Sequence, residues 1–402
     1  MKKLTLTICL LVLIVTNLFP QENTIKVDSG YINVDGGKLF YEVAGKGENI
    51  VLLHDGMVHR EIWDEQFLLL ANNYKVARYD RRNYGKSSDP AAPYSDIEDL
   101  NQLFTQLKID KAIVFGMSSG GGLAIDFTLK YPEKVSGLVL VGAVVGGYGY
   151  TSHMTYRGGH LKNPEMMADP AKAAEYFIWD DPYEMYAENR EAKQRIASIL
   201  KDNLHRPFDI RYYTPPERIA ARFLSEIKVP CLVLVGEHDI PDVYAHAGVI
   251  HYGIPGARRE IILKSGHLVP IEQPEAFNTS VLKFTYSIEF YRILKTQGVD
   301  AAAQFFKTKY DNEPNISFIR ELEINALGYR FLQDGKIKDA IELFKLNTIA
   351  FPKSGNAFDS LGEAYLNDGQ KDLAIKSYEK SLELDPGNEN AKKVLKELKG
   401  TK

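Results

Sequence analysis

The sequence predicts a two-part protein. An α/β part has a mostly parallel sheet wrapped by helices and a helical cap insertion, and an all-α repeat part follows it. Three observations carry this. Short, near-continuous apolar runs alternate with helical stretches through the first two-thirds of the chain, the pattern of strands buried on both faces by crossover helices. The stretch VFGMSSGGGLA, Val114 to Ala124, joins such a run to an apolar helical face through glycine and serine alone. Toward the C-terminus, residues recur 34 apart, a period that belongs to stacked helical repeats.

Length and composition allow this plan. The chain has 402 residues, enough for two or three domains, and is 45% hydrophobic and 25% charged with a net charge of −4. That leaves ample core. No basic block or basic-aromatic patch points to nucleic acid. Lys2 and Lys3 precede an apolar run from Leu4 to Phe19. The expectation is a signal peptide over residues 1–21, a secreted or periplasmic protein, and no membrane span in the mature chain. Cys9 lies inside that run, not at its end, which argues against lipid attachment. With the signal removed Cys231 is alone, so no internal disulfide forms, and its apolar setting PCLVLVG reads as a buried, inert thiol.

The elements follow in order. Two alternating runs flank Asp35-Gly36-Gly37, a hairpin. Strands are expected at Asn49–Leu53, Tyr74–Tyr79, Ile113–Phe115, Leu138–Val141 and Leu232–Val235, with REIILK as a later one. The helix before VFGMSS carries Leu100, Leu103 and Leu107 on one face. The rhythm breaks over about residues 146–228, helical from Pro170 to Leu204, which reads as the cap. The sheet-bearing part is expected over 22–286, and 287–402 is expected to be helical.

In that last part Leu327 and Leu361, Gly328 and Gly362, Gly335 and Gly369, Ala340 and Ala374, and Pro352 and Pro386 are each 34 residues apart. These residues resemble tetratricopeptide repeats, covering Glu323 to Asn388 with a final helix to Leu398. LKTQGVDAAAQFFKT before them reads as a worn repeat. Three units are normally needed for stability, so the two are expected to lean on neighbouring helices. The resemblance implies a protein partner or a homo-oligomer through the repeats.

Gly116-Met117-Ser118-Ser119-Gly120 fits G-x-S-x-G centred on Ser118. A sharp turn between strand and helix holds such a serine above the strand end. A hydroxyl needs a base to take its proton. Among nine histidines, His267 in LKSGHLVPIEQPEAF follows a strand and a glycine turn. The base needs a carboxylate to orient it and stabilise its charged form. Asp239 in GEHD lies just past a strand's carboxyl end, where parallel sheets put their sites; Asp242 is the alternative. Ser118 also reads as a helix cap, His54 as loop support and His238 as a bystander. Trp63, Trp179 and Tyr186 suit core packing or a pocket wall. His153 and His160 lack further ligands at metal spacing, and GMSSGGG lacks the lysine of a phosphate loop. No cofactor and no metal are expected.

Several motifs in order give a family resemblance over about Asn33 to Phe284. They are VLLHDGMVHREIWDEQ, YDRRNYGKSSDP, GMSSGGGLAIDFTLKYPEKVSGLVLVG, GEHD and GHLVPIEQPEAF. The chain resembles the α/β-hydrolase superfamily, in its capped esterase and peptidase-like branch, and Ser118, Asp239, His267 is that fold's order. The resemblance implies oxyanion-hole amides at Ser119 and at Gly56 or Met57. Two residues depart from it: Asp55 and Asn83 stand where relatives carry glycine. Asp55 beside a developing negative charge is unhelpful unless its carboxylate turns away. The implied activity is a serine hydrolase, carboxylesterase-like, cleaving a small ester or lactone, or an amide, through an acyl-enzyme. The rivals are an inactive scaffold whose repeats bind a partner, and an acyltransferase or aminopeptidase of the same fold.

Overall fold

The computed structural model describes residues 25–150, 168–180, 189–204, 212–314 and 316–400. The expected signal segment, 1–21, lies outside them, as do His153, His160 and Tyr186.

Eight strands form one sheet: β1 (Val27–Val34), β2 (Gly37–Ala44), β3 (Asn49–Leu53), β4 (Lys75–Tyr79), β5 (Ala112–Met117), β6 (Val135–Val141), β7 (Cys231–Gly236) and β8 (Arg258–Ile262). Their spatial order is β1-β2-β4-β3-β5-β6-β7-β8. β1 pairs β2, and β2 pairs β4, antiparallel; from β4 to β8 every pair is parallel. The hairpin turns at Asp35-Gly36, where Gly36 has φ 69°. The central strands are apolar throughout because helices cover both faces, and Val51, Val114, Val139 and Leu234 are fully buried.

Parallel neighbours need crossovers. The crossovers up to β6 are α1 (Asp64–Ala71), α2 (Asp96–Gln106) and α3 (Ser119–Lys130). α2 buries Ile97, Leu100, Leu103 and Phe104, and Asp96, Glu98 and Asp99 sit in its first turn, where carboxylates favour the helix dipole. Leu107 follows its end, half-buried.

Of the expected cap, the described residues hold α4 (Pro170–Glu175), a π-helical turn Tyr176–Asp180 and α5 (Arg190–Leu204). α5 buries Ile196, Ile199 and Leu200. It spans the sheet's rim: Asn189 Nδ2 donates to Glu272 O at 3.4 Å and Asn203 Nδ2 to Met57 O at 3.1 Å. An isolated bridge, Tyr94 to Tyr213, ties the later part of the insertion to the body.

The remaining helices are α6 (Pro241–Gly253), α7 (Val269–Glu272), α8 (Pro274–Gln297), α9 (Val299–Asn312), α10 (Glu321–Gln333), α11 (Ile337–Ala350), α12 (Gly355–Asn367), α13 (Lys371–Leu384) and α14 (Glu389–Gly400). α10 and α12 begin 34 residues apart, as do α11 and α13, so the period read in the sequence is one helix pair. Residues 286 and 287 both lie inside α8, one unbroken 24-residue helix. The main hydrophobic core runs without a gap from the sheet through Phe277, Tyr286 and Phe290 of α8 to Phe306 of α9 and Leu343 of α11. The repeats close a smaller core around Phe344, Leu361 and Tyr378.

Candidate active site

Ser118 joins β5 to α3 with φ 51° and ψ −115°. A residue with a side chain holds such a backbone only where its surroundings force it. Here four hydrogen bonds do so. Ser118 N–H donates to Val141 O at 2.9 Å, and Ser118 O accepts from Gly121, Gly122 and Val144 at 3.0, 3.1 and 3.2 Å. Strand and helix pass too close for any Cβ: one on Gly116 would lie 2.4 Å from Gly120 O, and one on Gly120 would lie 2.3 Å from His54 O. The Ser118 side chain makes no capping hydrogen bond to α3.

His267 lies between β8 and α7, and Asp239 between β7 and α6. Both are buried. His267 Nδ1 stands 2.9 Å from Asp239 Oδ2 and 3.1 Å from Oδ1. A carboxylate there places the ring proton on Nδ1 and leaves Nε2 as the basic nitrogen. Asp239 Oδ1 also accepts from Ile240 N–H at 2.8 Å. The pair packs against Gly142: a Cβ on that residue would lie 3.0 Å from the imidazole and 3.2 Å from Asp239 Oδ2. Gly142 follows Val141, the acceptor of the Ser118 N–H. Serine and histidine–aspartate pair therefore flank the carboxyl end of β6, on one rim of the sheet. Glu272, a residue the sequence reading passed over, accepts from Leu268 N–H at 2.9 Å and from Gly266 N–H, so it grips the chain on both sides of His267. Burial pushes the Glu272 carboxyl up to about 7.

The amides expected to meet an oxyanion are not equally available. Met57 N–H donates to Asp55 Oδ1 at 2.6 Å, and Val58 N–H to the same oxygen at 2.7 Å, so the Met57 amide is spent. Gly56 N–H has no hydrogen-bond partner among the described residues. Ser119 N–H opens α3 and has no intrahelical acceptor. The same bonds account for Asp55: its carboxylate turns onto its own loop. Asn83 has φ 69°, a conformation that glycine or asparagine enters readily, so asparagine serves where relatives carry glycine.

Arg81 is the member that motif reading left without a role. Its Nη2 donates to Ser119 Oγ at 2.8 Å and to Asp55 O at 2.9 Å, bracing the elbow against the loop. Its N–H donates to His54 Nε2 at 2.9 Å, while His54 Nδ1 lies 2.7 Å from Asp55 O. Burial, then the Arg81 charge, lowers the His54 pKa well below its usual value. His54 is thus a neutral strut. His238 has an exposed ring 3.6 Å from Glu237. Trp63 is fully buried core, and Trp179 is 46% exposed. Cys231 is buried and its thiol is pushed up by desolvation. Among the described residues no three His, Cys, Asp or Glu are grouped to hold a metal ion, and no helix is long and apolar enough to cross a membrane.

The profile of the alpha/beta hydrolase family matches residues 50–280, and that of the tetratricopeptide repeat matches 355–388. The first match spans more than half of the chain. The chain belongs to the alpha/beta hydrolase family. Its relatives include hydrolases and an esterase, beside a putative synthase and a putative non-heme chloroperoxidase. It is 23% identical over 280 residues to carboxylesterase YbfK of Bacillus subtilis, covering 67% of this chain and 90% of that one. It is 29% identical over 286 residues to the 2-hydroxy-6-oxononadienedioate/2-hydroxy-6-oxononatrienedioate hydrolase of Klebsiella pneumoniae, covering 66% and 98%. Among solved structures, Est816, described as an N-acyl homoserine lactone degrading enzyme, superposes with a TM-score of 0.53 at 26% identity, covering 63% of this chain and all of that one. This family member is a hydrolase with a helical tail whose repeat type suggests protein interaction.

Proposed function

We propose that this hydrolase is a carboxylesterase-like serine enzyme that opens a small ester or lactone. The observation that carries the reading is the Asp239–His267 contact at 2.9 Å on the same sheet rim as a strained Ser118, two strands from Asp239. Ser118 Oγ attacks the carbonyl carbon as His267 Nε2 takes its proton. Asp239 holds the ring and stabilises the imidazolium. The oxyanion collects the N–H groups of Gly56 and Ser119, each worth roughly 3–4 kcal/mol in such sites. His267 then protonates the leaving alkoxide, and water, with His267 again as base, opens the acyl-enzyme. The named activities of the esterase and lactonase relatives favour oxygen esters. The N-terminal basic and apolar segment favours export, and the repeats favour a docked protein partner.

A fluorophosphonate probe tests the nucleophile. Wild-type protein labels covalently and Ser118→Ala does not. A folded wild type that stays unlabelled and leaves p-nitrophenyl acetate intact would overturn the reading.

A further inference from the structure

Gly56 and Ser119 line a cavity of about 590 Å³, so it adjoins the loop and the elbow that carry the two amides assigned to the oxyanion. The charges around that cavity pair off with one left over. Arg81 Nη1 stands 3.7 Å from Asp96 Oδ2. Arg82 grips Asp99 through Nε at 2.7 Å and Nη2 at 2.8 Å. Arg218 Nη2 donates to Glu226 at 2.8 Å. Asp126 of α3 remains. It lines this cavity and a smaller adjoining one of about 240 Å³. It is partly withdrawn from water, and its carboxyl has no hydrogen-bond or ion-pair partner among the described residues. Lys130, one turn further along, is the cation in position to help, but it pairs with Glu98 at 2.9 Å.

A desolvated carboxyl without a partner is costly, and burial alone holds this one up at about 7. Tyr94 and Tyr213 stand edge to face at 5.9 Å beside the same space. Burial and the nearby Asp96 and Asp126 keep the Tyr213 hydroxyl up at about 12, so it stays neutral. Arg82 already lies over the Tyr94 ring at 4.9 Å, so the Tyr213 ring and the unmatched carboxylate are the surroundings that meet an ammonium group.

We propose that this cavity takes the cationic end of the substrate, an ammonium group that pairs with Asp126 while the ester carbonyl reaches Ser118. The proposal rests on the serine-hydrolase reading and adds the substrate class. Asp126 is the eighth residue after Ser118, along α3, roughly 12 Å of axial rise. The ammonium therefore lies several bonds from the carbonyl, as in an ω-amino acyl ester, and not on the α-carbon.

Two matched p-nitrophenyl esters test this, the 6-aminohexanoate and the uncharged heptanoate. Wild type is expected to favour the amino ester at least tenfold in kcat/KM. Asp126→Asn removes that preference and leaves heptanoate turnover within about twofold. Equal use of the two esters by wild type, or an Asp126→Asn loss shared by both, overturns the proposal while leaving the hydrolase reading intact. A binding arm needs no catalysis: calorimetry of hexyltrimethylammonium on Ser118→Ala protein. Affinity at least tenfold weaker in the Ser118→Ala, Asp126→Asn double variant supports the cation site even where neither ester is cleaved, the outcome that would sink the hydrolase reading alone. Absence of binding, or binding indifferent to Asp126, counts against the site. Asp126→Ser is a second variant should the asparagine fail to fold.

Discussion

At the elbow, a Cβ on Gly120 would strike His54 O at 2.3 Å and Leu53 O at 2.8 Å; in the repeats, one on Gly328 would meet the Phe344 ring at 2.5 Å and one on Gly362 the Tyr378 ring at 3.1 Å. Both regions use glycine to bring elements close, but the obstacles differ. Backbone oxygens at a strand end cannot move aside, whereas a ring buried in a helix pair can still turn about its own side-chain bonds. The elbow also stores strain at Ser118, with φ 51°, and surrounds it with four backbone hydrogen bonds. The repeats have their left-handed backbone at Gly335 and Gly369, both at φ 74°, where it costs little. Rigidity at the rim fits the proposed chemistry. Tolerance in the repeats suits a stacking module.

The contrast breaks or sharpens under substitution. Ser118→Ala should lower kcat/KM toward p-nitrophenyl acetate by ~10⁴-fold or more, with urea unfolding within about 1 kcal/mol of wild type. Ser118→Gly should be equally inactive yet about 1 kcal/mol more stable, because glycine accepts the positive φ. A stable, active Ser118→Ala protein would remove the chemical purpose of the strain. Gly120→Ala comes next, costing roughly 3 kcal/mol or more because neither oxygen can retreat, with activity lost even in the soluble fraction.

The base-bearing loop adds a pH effect. Glu272 has an ordinary value of 4.5 and a folded value raised to about 7. The folded state thus binds the proton more tightly than the unfolded chain. Stability should fall as pH rises from about 4.5 to about 7, by on the order of 3 kcal/mol for this group. Asp126, also held up at about 7, adds a slope of the same sign. Glu272→Gln should flatten the Tm-against-pH curve in that window without abolishing it; an unchanged curve would mean that Glu272 titrates normally. Smaller still, Gly328→Ala should cost about 1 kcal/mol, ring displacement being partly offset by alanine's helix propensity. Gly362→Ala should stay within about 0.5 kcal/mol by the same balance. Esterase activity should be unchanged in both.

Much of this was legible in the residues. Continuous apolar runs mark buried parallel strands: β3, β5, β6 and β7 contain the runs expected for them, and β4 starts one residue inside its run, at Lys75. The 34-residue period shows directly in the helix starts. Asp239 and His267 were readable because each follows a strand and a turn, and the structure brings their side chains together. Other details depend on where a side chain turns, which motif spacing does not encode. Met57 loses its amide to Asp55, and nothing in HDGM says which way that carboxylate points. Arg81 reaches Ser119 across 38 residues of sequence. Asp126 stands out only once every neighbouring cation is seen to be taken. The boundary expected at 286 and 287 marks where the pattern becomes purely helical, and α8 runs through both residues.

That helix has a mechanical consequence. α8 begins seven residues after His267 and runs on for 24 residues, a shaft of roughly 36 Å. With no joint along its length, and with one apolar interior shared across it, the tail is carried like an arm on a fixed mount. A protein that docks on the arm is held at a set bearing to the mouth of the reaction chamber, and a protease probing residues 286 and 287 finds no slack to cut.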